Sequence, residues 1–310
     1  MNIIFFGSDD FAAGHLEALI GARHPIVACV TQPDRAKGRG MKVELSPIKE
    51  IALRNKIPIL QPEDVKSDDF LSQLKEFSAD LFVVIAYGRI LPSKVLNLPK
   101  VCAINVHGSL LPKYRGAAPI NWVIINGEKT TGITIMKLNP KMDAGDIIEQ
   151  KKIAIDPLDN ALTLRKKMME IAEQLLLKVI KDFEAKRVQF KSQDNNQVTY
   201  AAKLTKELGK IQWKKTAVEI HNLVRGLIPW PCAYTFYNQK ILKILLTQIV
   251  DQDYTDLKPG EIVKICKEGI VVKTSRGSLL IKEVQPESSR KMTAHEFAIG
   301  LHLKVKDIFN

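Results

Sequence analysis

No stretch of this sequence approaches the ~20 consecutive apolar residues that a membrane-spanning helix needs, although 45% of its 310 residues are hydrophobic. A membrane protein is therefore not expected. The opening residues, Met1-Asn-Ile-Ile-Phe-Phe-Gly7, lack a basic lead-in and break at glycine after a short apolar run. They read as a first strand, not as a signal peptide. Cysteine is scarce: Cys29, Cys102, Cys232 and Cys266 are widely scattered, and none forms a C-x-x-C pair. That spacing argues against a zinc site and against a disulfide framework, so no metal is expected and a reducing, cytoplasmic setting is. Aromatic residues make up only 6% of the chain, and its last third shows no row of them, which disfavours a nucleic-acid binder that works by base stacking. No G-x-G-x-x-G follows the first apolar run, where Gly7-Ser-Asp-Asp-Phe11 stands instead. NAD and other dinucleotide cofactors are thus not expected. There is no internal repeat and no low-complexity tract.

What the sequence does have is positive charge, with a formal net of +12. It is unevenly placed: residues 1–150 carry 18 Lys/Arg against 16 Asp/Glu, whereas residues 186–250 carry 11 against 3. A basic patch attracts polyphosphate ligands by steering and counterion release, though a generic solubilising surface explains the count equally well. The length exceeds what one hydrophobic core usually supports, so two domains are expected.

The first 150 residues alternate strand-like and helix-like stretches. The run at 2–6 ends in Gly7, and Ser8 or Asp9 can cap a helix over 11–20. Residues 26–31 form a second β-branched run. Ser46 followed by Pro47 is a favoured helix start. Residues 80–86 are almost continuously apolar, as in a strand buried on both faces of a parallel sheet, and 102–106 is similar. The alternation predicts an α/β, doubly wound domain whose ligands lie at the carboxyl ends of strands. Residues 162–184 have apolar positions at helical spacing. Residues 186–210 are polar and basic and read as a linker. A helix is expected over 216–225, and then the pattern turns into short β-rich runs at 241–249, 260–265, 269–274 and 278–284, consistent with a small β-barrel. The expected division is a catalytic domain at 1–189, a basic linker at 190–209 and a barrel at 210–310.

The stretch Ile104-Asn-Val-His-Gly-Ser-Leu-Leu-Pro-Lys-Tyr-Arg-Gly-Ala-Ala-Pro-Ile-Asn-Trp122 holds the most chemistry. Asn105 and His107 are two apart, so on a strand they leave the same face. Met142-Asp-Ala-Gly-Asp-Ile-Ile148 is a glycine-containing acidic loop. Asn, His and Asp suit acyl transfer to an amine: an amide and an imidazole can donate to a developing oxyanion, and a carboxylate can orient the imidazole or accept a proton. From the residues alone, Asn105 and His107 could equally serve a strand-end turn, and Asp143 a turn or helix cap.

The stretch Ser109-Leu-Leu-Pro-Lys-Tyr-Arg-Gly-Ala-Ala-Pro-Ile-Asn-Trp122 resembles the signature loop of the formyltransferase family that uses 10-formyltetrahydrofolate, and Met142-Asp-Ala-Gly-Asp146 resembles its acidic loop. Thr31-Gln-Pro-Asp-Arg-Ala-Lys-Gly-Arg-Gly40 is similar to a basic loop of the members that act on tRNA. Thr199-Tyr-Ala-Ala-Lys203, Asn222-Leu-Val-Arg-Gly226 with Pro229-Trp-Pro231, and Phe297-Ala-Ile-Gly300 resemble those members' linker and C-terminal domain. The likeness runs over nearly the whole chain. It implies a Rossmann-like N-terminal domain and a small C-terminal β-barrel of oligonucleotide-binding (OB-like) type. It implies Asn105, His107 and Asp143 as the catalytic trio, and folate contacts at Ser109, Leu110, Leu111 and Pro112, with Ile85, Tyr87 and Gly88 at a neighbouring strand end. The implied co-substrate is 10-formyltetrahydrofolate, which leaves as tetrahydrofolate, and the implied acceptor is methionyl initiator tRNA. Arg35, Lys37, Arg39 and Lys42 are then expected to form a loop without regular structure that orders on the tRNA, with Lys203, Lys206 and Lys210 on its phosphates. One departure stands out: Cys232 follows Pro-Trp-Pro where the family often has glycine, and a positive φ there would be strained.

A formyltransferase acting on a nucleotide sugar, or the folate-hydrolysing half of a formyl-folate dehydrogenase, would share the trio but would need neither the basic loop nor a basic barrel. A monomer is expected, because no long unexplained apolar patch is visible.

Overall fold

The computed structural model describes residues 1–37 and 42–310. The alternation in the first half folds as β1 (Ile3–Gly7), α1 (Asp10–Gly21), β2 (Ile26–Val30), β3 (Arg35–Lys37), β4 (Lys42–Glu44), α2 (Pro47–Arg54), β5 (Ile59–Leu60), α3 (Asp68–Glu76), β6 (Leu81–Ile85), α4 (Ser93–Leu96) and β7 (Cys102–His107). There follow β8 (Arg115–Gly116), α5 (Pro119–Ile125), β9 (Thr130–Lys137), β10 (Ile147–Ala154), α6 (Ala161–Glu184) and β11 (Tyr200–Ala201). The remainder is α7 (Ala217–Gly226), β12 (Ala233–Tyr237), β13 (Lys240–Val250), β14 (Ile262–Cys266), β15 (Gly269–Lys273), β16 (Ser278–Pro286), β17 (Met292–Thr293) and α8 (Ala294–Gly300).

Chain contacts divide these elements into two units, one of residues 1–116, 131–153 and 166–200, the other of residues 117–130, 154–165 and 201–310. The first is built on a seven-stranded sheet of order β10-β9-β7-β6-β1-β2-β5. Strands β5, β2, β1, β6 and β7 run parallel, and β9 runs antiparallel to β7. All residues of β1 and β6 are buried, which is why both read as unbroken apolar runs: helices cover each face of a parallel sheet. The expected caps are present. Asp9 accepts from the Ala12 amide at 3.0 Å and Ser46 from the Lys49 amide at 3.2 Å. The strand order reverses about β1, so the loops leaving β1, β6 and β7 gather at one edge, where ligands of doubly wound sheets bind.

The second unit is an antiparallel sheet of order β12-β13-β16-β15-β14, with β17 beside β16. Its edges are β12 and β14, and the C-terminal tail bonds to both. Phe236 and Asn310 exchange backbone bonds of 2.8 and 3.0 Å, while the Ile262 amide donates to Asp307 O at 2.8 Å. The tail thus closes the sheet and removes the unpaired edges that would otherwise invite association. Helix α7 starts with a full capping box from Thr216 and Glu219. Within this unit the Asn121 side chain donates to Gly226 O at 2.8 Å, and Arg225 donates to the carbonyls of Pro157 and Asp159 at 3.2 and 2.6 Å. No helix among the described residues is long and apolar enough to cross a membrane.

Cys232 has a positive φ, +70°, and is buried with its thiol 3.0 Å from Pro229 O. Cys232→Gly and Cys232→Ala both lose that sulfur, but only alanine keeps the Cβ that opposes a left-handed backbone, at a cost of roughly 1 kcal/mol. Glycine is therefore expected to be the more stable replacement by about 1 kcal/mol in chemical denaturation, reversing the usual order of the two residues. Alanine equal to or better than glycine would show that the position is unstrained.

Candidate active site

Strand β7 carries Asn105 and His107 on one face, two residues apart, next to Val84 of β6 on one side and opposite Met136 and Thr134 of β9 on the other. His107 is buried. Its Nε2 lies 2.9 Å from the Tyr114 carbonyl oxygen. A carbonyl only accepts, so Nε2 carries the hydrogen and the other nitrogen, Nδ1, is left for chemistry. Nδ1 faces Asp143 Oδ2 at 3.7 Å, an ion-pair distance and not a hydrogen bond. That same oxygen accepts from the Gly116 amide at 2.7 Å. The expected trio is thus brought together, with the signature loop and the acidic loop meeting through the Gly116 amide. The Asn105 side chain is partly buried, and no described residue hydrogen-bonds to it. Two amide N–H donors at the carboxyl end of β7 therefore remain for a ligand.

The acidic loop is tightly built. Asp143 has φ +49°, a left-handed conformation that Asp and Asn tolerate better than most residues. A Cβ on Gly145 would stand 1.7 Å from Lys137 O, so only glycine lets the loop lie against β9.

The Ser109–Pro112 segment is shaped from beneath by residues the sequence did not single out. Thr134, fully buried on β9, donates to Ser109 O at 2.6 Å and accepts from the Leu111 amide at 3.1 Å and from Gln150 Nε2 at 2.8 Å. Gln150 also donates to Leu111 O at 2.9 Å. The Ser109 hydroxyl is turned inward onto Lys113 O at 2.6 Å and Leu111 is buried. Leu110 and Pro112 are the partly exposed members of this group.

At the end of β6, Ile85 and Tyr87 point into the core, while Ala86 and Gly88 are exposed. What this turn offers at the crevice is backbone. Its shape is held by Tyr87 O, which accepts from Gln32 Nε2 at 2.7 Å and Ser8 Oγ at 3.3 Å. Gly88 has φ +80°, and a Cβ there would come within 2.6 Å of that Gln32 amide nitrogen. The Tyr87 ring packs edge-on against Phe6, with centroids 5.6 Å apart, and its hydroxyl is buried without a partner. Burial pushes the phenol up to about 12. Tyr87→Phe removes an unsatisfied group, so it is expected to raise stability by about 1 kcal/mol in chemical denaturation. A less stable Phe variant would show that the hydroxyl has a partner in solution.

Arg35, Lys37 and Lys42 lie on the paired strands β3 and β4, with Arg35 opposite Glu44 and Lys37 opposite Lys42. The two ends of the expected loop pair as a short antiparallel ladder, which satisfies backbone groups that a bare loop leaves to water. Arg39 lies outside the described residues. The base of this hairpin is pinned by Asp34, which pairs with Lys49 and accepts from Gln61 at 3.0 Å. The hydrogen bond from Lys49 holds the Asp34 carboxyl below its usual range. Lys203, Lys206 and Lys210 are exposed on the second unit, with the Lys210 ammonium 5.5 Å from the Phe236 ring centroid. No group of three or more His, Cys, Asp or Glu side chains among the described residues is arranged to hold a metal ion.

A strand-end Asn-His pair facing a carboxylate, at the ligand-binding edge of a doubly wound sheet, has the donors and the proton carrier that acyl transfer to an amine needs. Residues 1–180 match the formyl transferase family and residues 203–302 match the formyl transferase C-terminal domain; the chain belongs to that family. It is 46% identical over 300 residues to the methionyl-tRNA formyltransferase of Acetivibrio thermocellus, covering 97% of this chain and 96% of that one. It is likewise 46% identical over 301 residues to the methionyl-tRNA formyltransferase of Caldanaerobacter subterraneus subsp. tengcongensis, covering 97% of each. Its fold is similar to the crystal structure of an N-formyltransferase from Helicobacter canadensis in complex with folinic acid and dTDP-3-aminofucose. The TM-score is 0.68 at 20% identity, covering 92% of this chain and 98% of that one.

Proposed function

We infer that this chain transfers the formyl group of 10-formyltetrahydrofolate to the α-amino group of methionyl initiator tRNA, giving N-formylmethionyl-tRNA and tetrahydrofolate. The observation that carries the chemistry is the unpartnered Asn105 amide beside the His107–Asp143 pair; the 46% identity over nearly the whole chain carries the acceptor. The amine lone pair attacks the formyl carbon, and the carbonyl π electrons move onto oxygen. Asn105 Nδ2 donates to that oxyanion. The carbonyl then reforms, the bond to N10 breaks, and the proton lost by the amine ends on N10. His107 Nδ1, facing the Asp143 carboxylate, is placed to hold that proton in transit. Folate is read as lying along the backbone of Ala86–Gly88 and against Leu110 and Pro112. Ser109 and Leu111 shape the loop, and Ile85 and Tyr87, with their side chains in the core, contribute backbone at the neighbouring strand end.

In this reading residues 1–189 hold the reacting centre and residues 210–310 bind tRNA, with 190–209 between them. Arg35, Lys37, Arg39, Lys42, Lys203, Lys206 and Lys210 contact phosphates, which position the tRNA without reading bases. The protein acts in the cytoplasm as a monomer, which sedimentation at 34.8 kDa would support.

The test is a transfer assay with 10-formyltetrahydrofolate and either charged initiator tRNA or an amino-sugar nucleotide. The tRNA is expected to be formylated, with kcat/KM falling steeply as salt rises, because phosphate contacts release counterions. Formylation of the sugar alone would keep the reacting centre and overturn the acceptor.

A further inference from the structure

The position of the Asp143 carboxylate decides whether Gly116 and His107 share it, and one side chain outside the trio holds the loop that carries it. Gln193 Nε2 donates to Asp143 O at 2.9 Å and to Gly145 O at 2.7 Å. Its Oε1 accepts from Arg115 Nε at 3.0 Å and from Arg115 Nη2 at 2.7 Å. Arg115 sits in the signature loop one residue before the Gly116 amide that binds Asp143, and it is only 6% exposed. Its other side-chain partner is Asn195 Oδ1 at 3.2 Å, and no carboxylate pairs with it among the described residues. A buried guanidinium ordinarily takes a carboxylate. Here it takes a neutral amide, and the far end of that amide explains the choice. Two carbonyl oxygens stand there, and only an N–H₂ can donate to both; a carboxylate would repel them. The segment holding Gln193 runs alongside the acidic loop. Lys191 and Ile147 exchange backbone bonds of 2.8 Å each, and Ser192 Oγ donates to Asp146 Oδ1 at 3.0 Å.

We propose that Gln193 is a positioning residue for formyl transfer: it relays Arg115 of the signature loop to the acidic loop and so fixes the Asp143 carboxylate between the Gly116 amide and His107 Nδ1. This rests on the reading of Asn105, His107 and Asp143 as the reacting centre. Gln193 itself touches neither folate nor the amine.

The experiment compares Gln193→Glu and Gln193→Leu with the unaltered protein. Gln193→Glu keeps an acceptor for Arg115, and so keeps the fold, but loses both bonds to the acidic loop. Both variants are expected to lower kcat by about 10–100-fold, the usual effect of losing an orienting partner, with KM for folate and for charged tRNA unchanged. In an Asp143→Asn background, Gln193→Glu is expected to cost nothing further, because it acts through the carboxylate already lost. A second readout needs no turnover: the ring ¹⁵N resonances of His107 at fixed pH should shift in Gln193→Glu in the same direction as in Asp143→Asn. Unmoved His107 resonances, or the full loss of kcat repeated in the double variant, would overturn the proposal. An inactive wild-type protein whose His107 still responds to Gln193 would overturn the functional reading and leave the relay standing.

Discussion

Asn105→Ala is expected to lower formyl transfer by about 10²–10³-fold, the usual cost of one oxyanion donor, with no loss of thermal stability. The two halves of that expectation come from the same fact. No described residue bonds to the Asn105 side chain, so its removal breaks nothing in the fold, and β7 is held by its ladders to β6 and β9. An amide kept for a strand-end turn would have shown a backbone partner, and truncating it would cost stability. The measurement is single-turnover transfer to charged tRNA, which isolates the chemical step, together with a chemical denaturation curve. A variant that unfolds more easily and transfers normally would assign Asn105 to structure.

The Asp143 substitutions should separate charge from architecture. Asp143→Asn keeps an oxygen for the Gly116 amide and a residue type that tolerates φ near +49°; it loses only the negative charge facing His107 Nδ1. Transfer is expected to fall by roughly 10²–10⁴-fold, the range for a proton-managing group, with stability unchanged. Asp143→Ala loses the same charge and, in addition, leaves the Gly116 amide without its acceptor and puts an ordinary residue in a left-handed conformation. It should therefore be as inactive as Asp143→Asn and less stable by about 1–3 kcal/mol. Comparing kcat/KM and denaturation midpoints for the pair checks this. Full activity in Asp143→Asn would mean that the carboxylate serves only to hold the loop.

Much of the scaffold was legible because it obeys local rules. The apolar runs at β1 and β6, Asp9 and Ser46 as caps, the helical spacing of α6 and the β-rich second half each carry their signal within a few neighbouring residues. Asn105 and His107 were legible as a pair because a strand repeats every two residues. Thr134, Gln150 and Gln193 were not. Their roles depend on which carbonyls the fold brings to them from 25 to 50 residues away, and a buried threonine or a glutamine in a polar stretch looks ordinary in one dimension. Tyr87 shows the converse. Proximity to a strand end marked its backbone, but the burial of its ring follows from the turn after β6, where Ala86 takes φ +47°, a conformation that no local pattern announces. The basic loop was read from its glycines; the pairing of Arg35 with Glu44 is a backbone property that composition does not carry.

The most direct test of the site is a crystal structure of the protein with a formyl folate that it does not turn over, such as 5-formyltetrahydrofolate. The pterin should lie along the exposed backbone of Ala86–Gly88 and beside Leu110. N10 and the Asn105 amide should then face each other across the gap opposite His107 and Asp143. Folate bound with N10 beyond the reach of Asn105, or seated away from the carboxyl ends of β6 and β7, would contradict the account of this centre as the place where the formyl group is transferred.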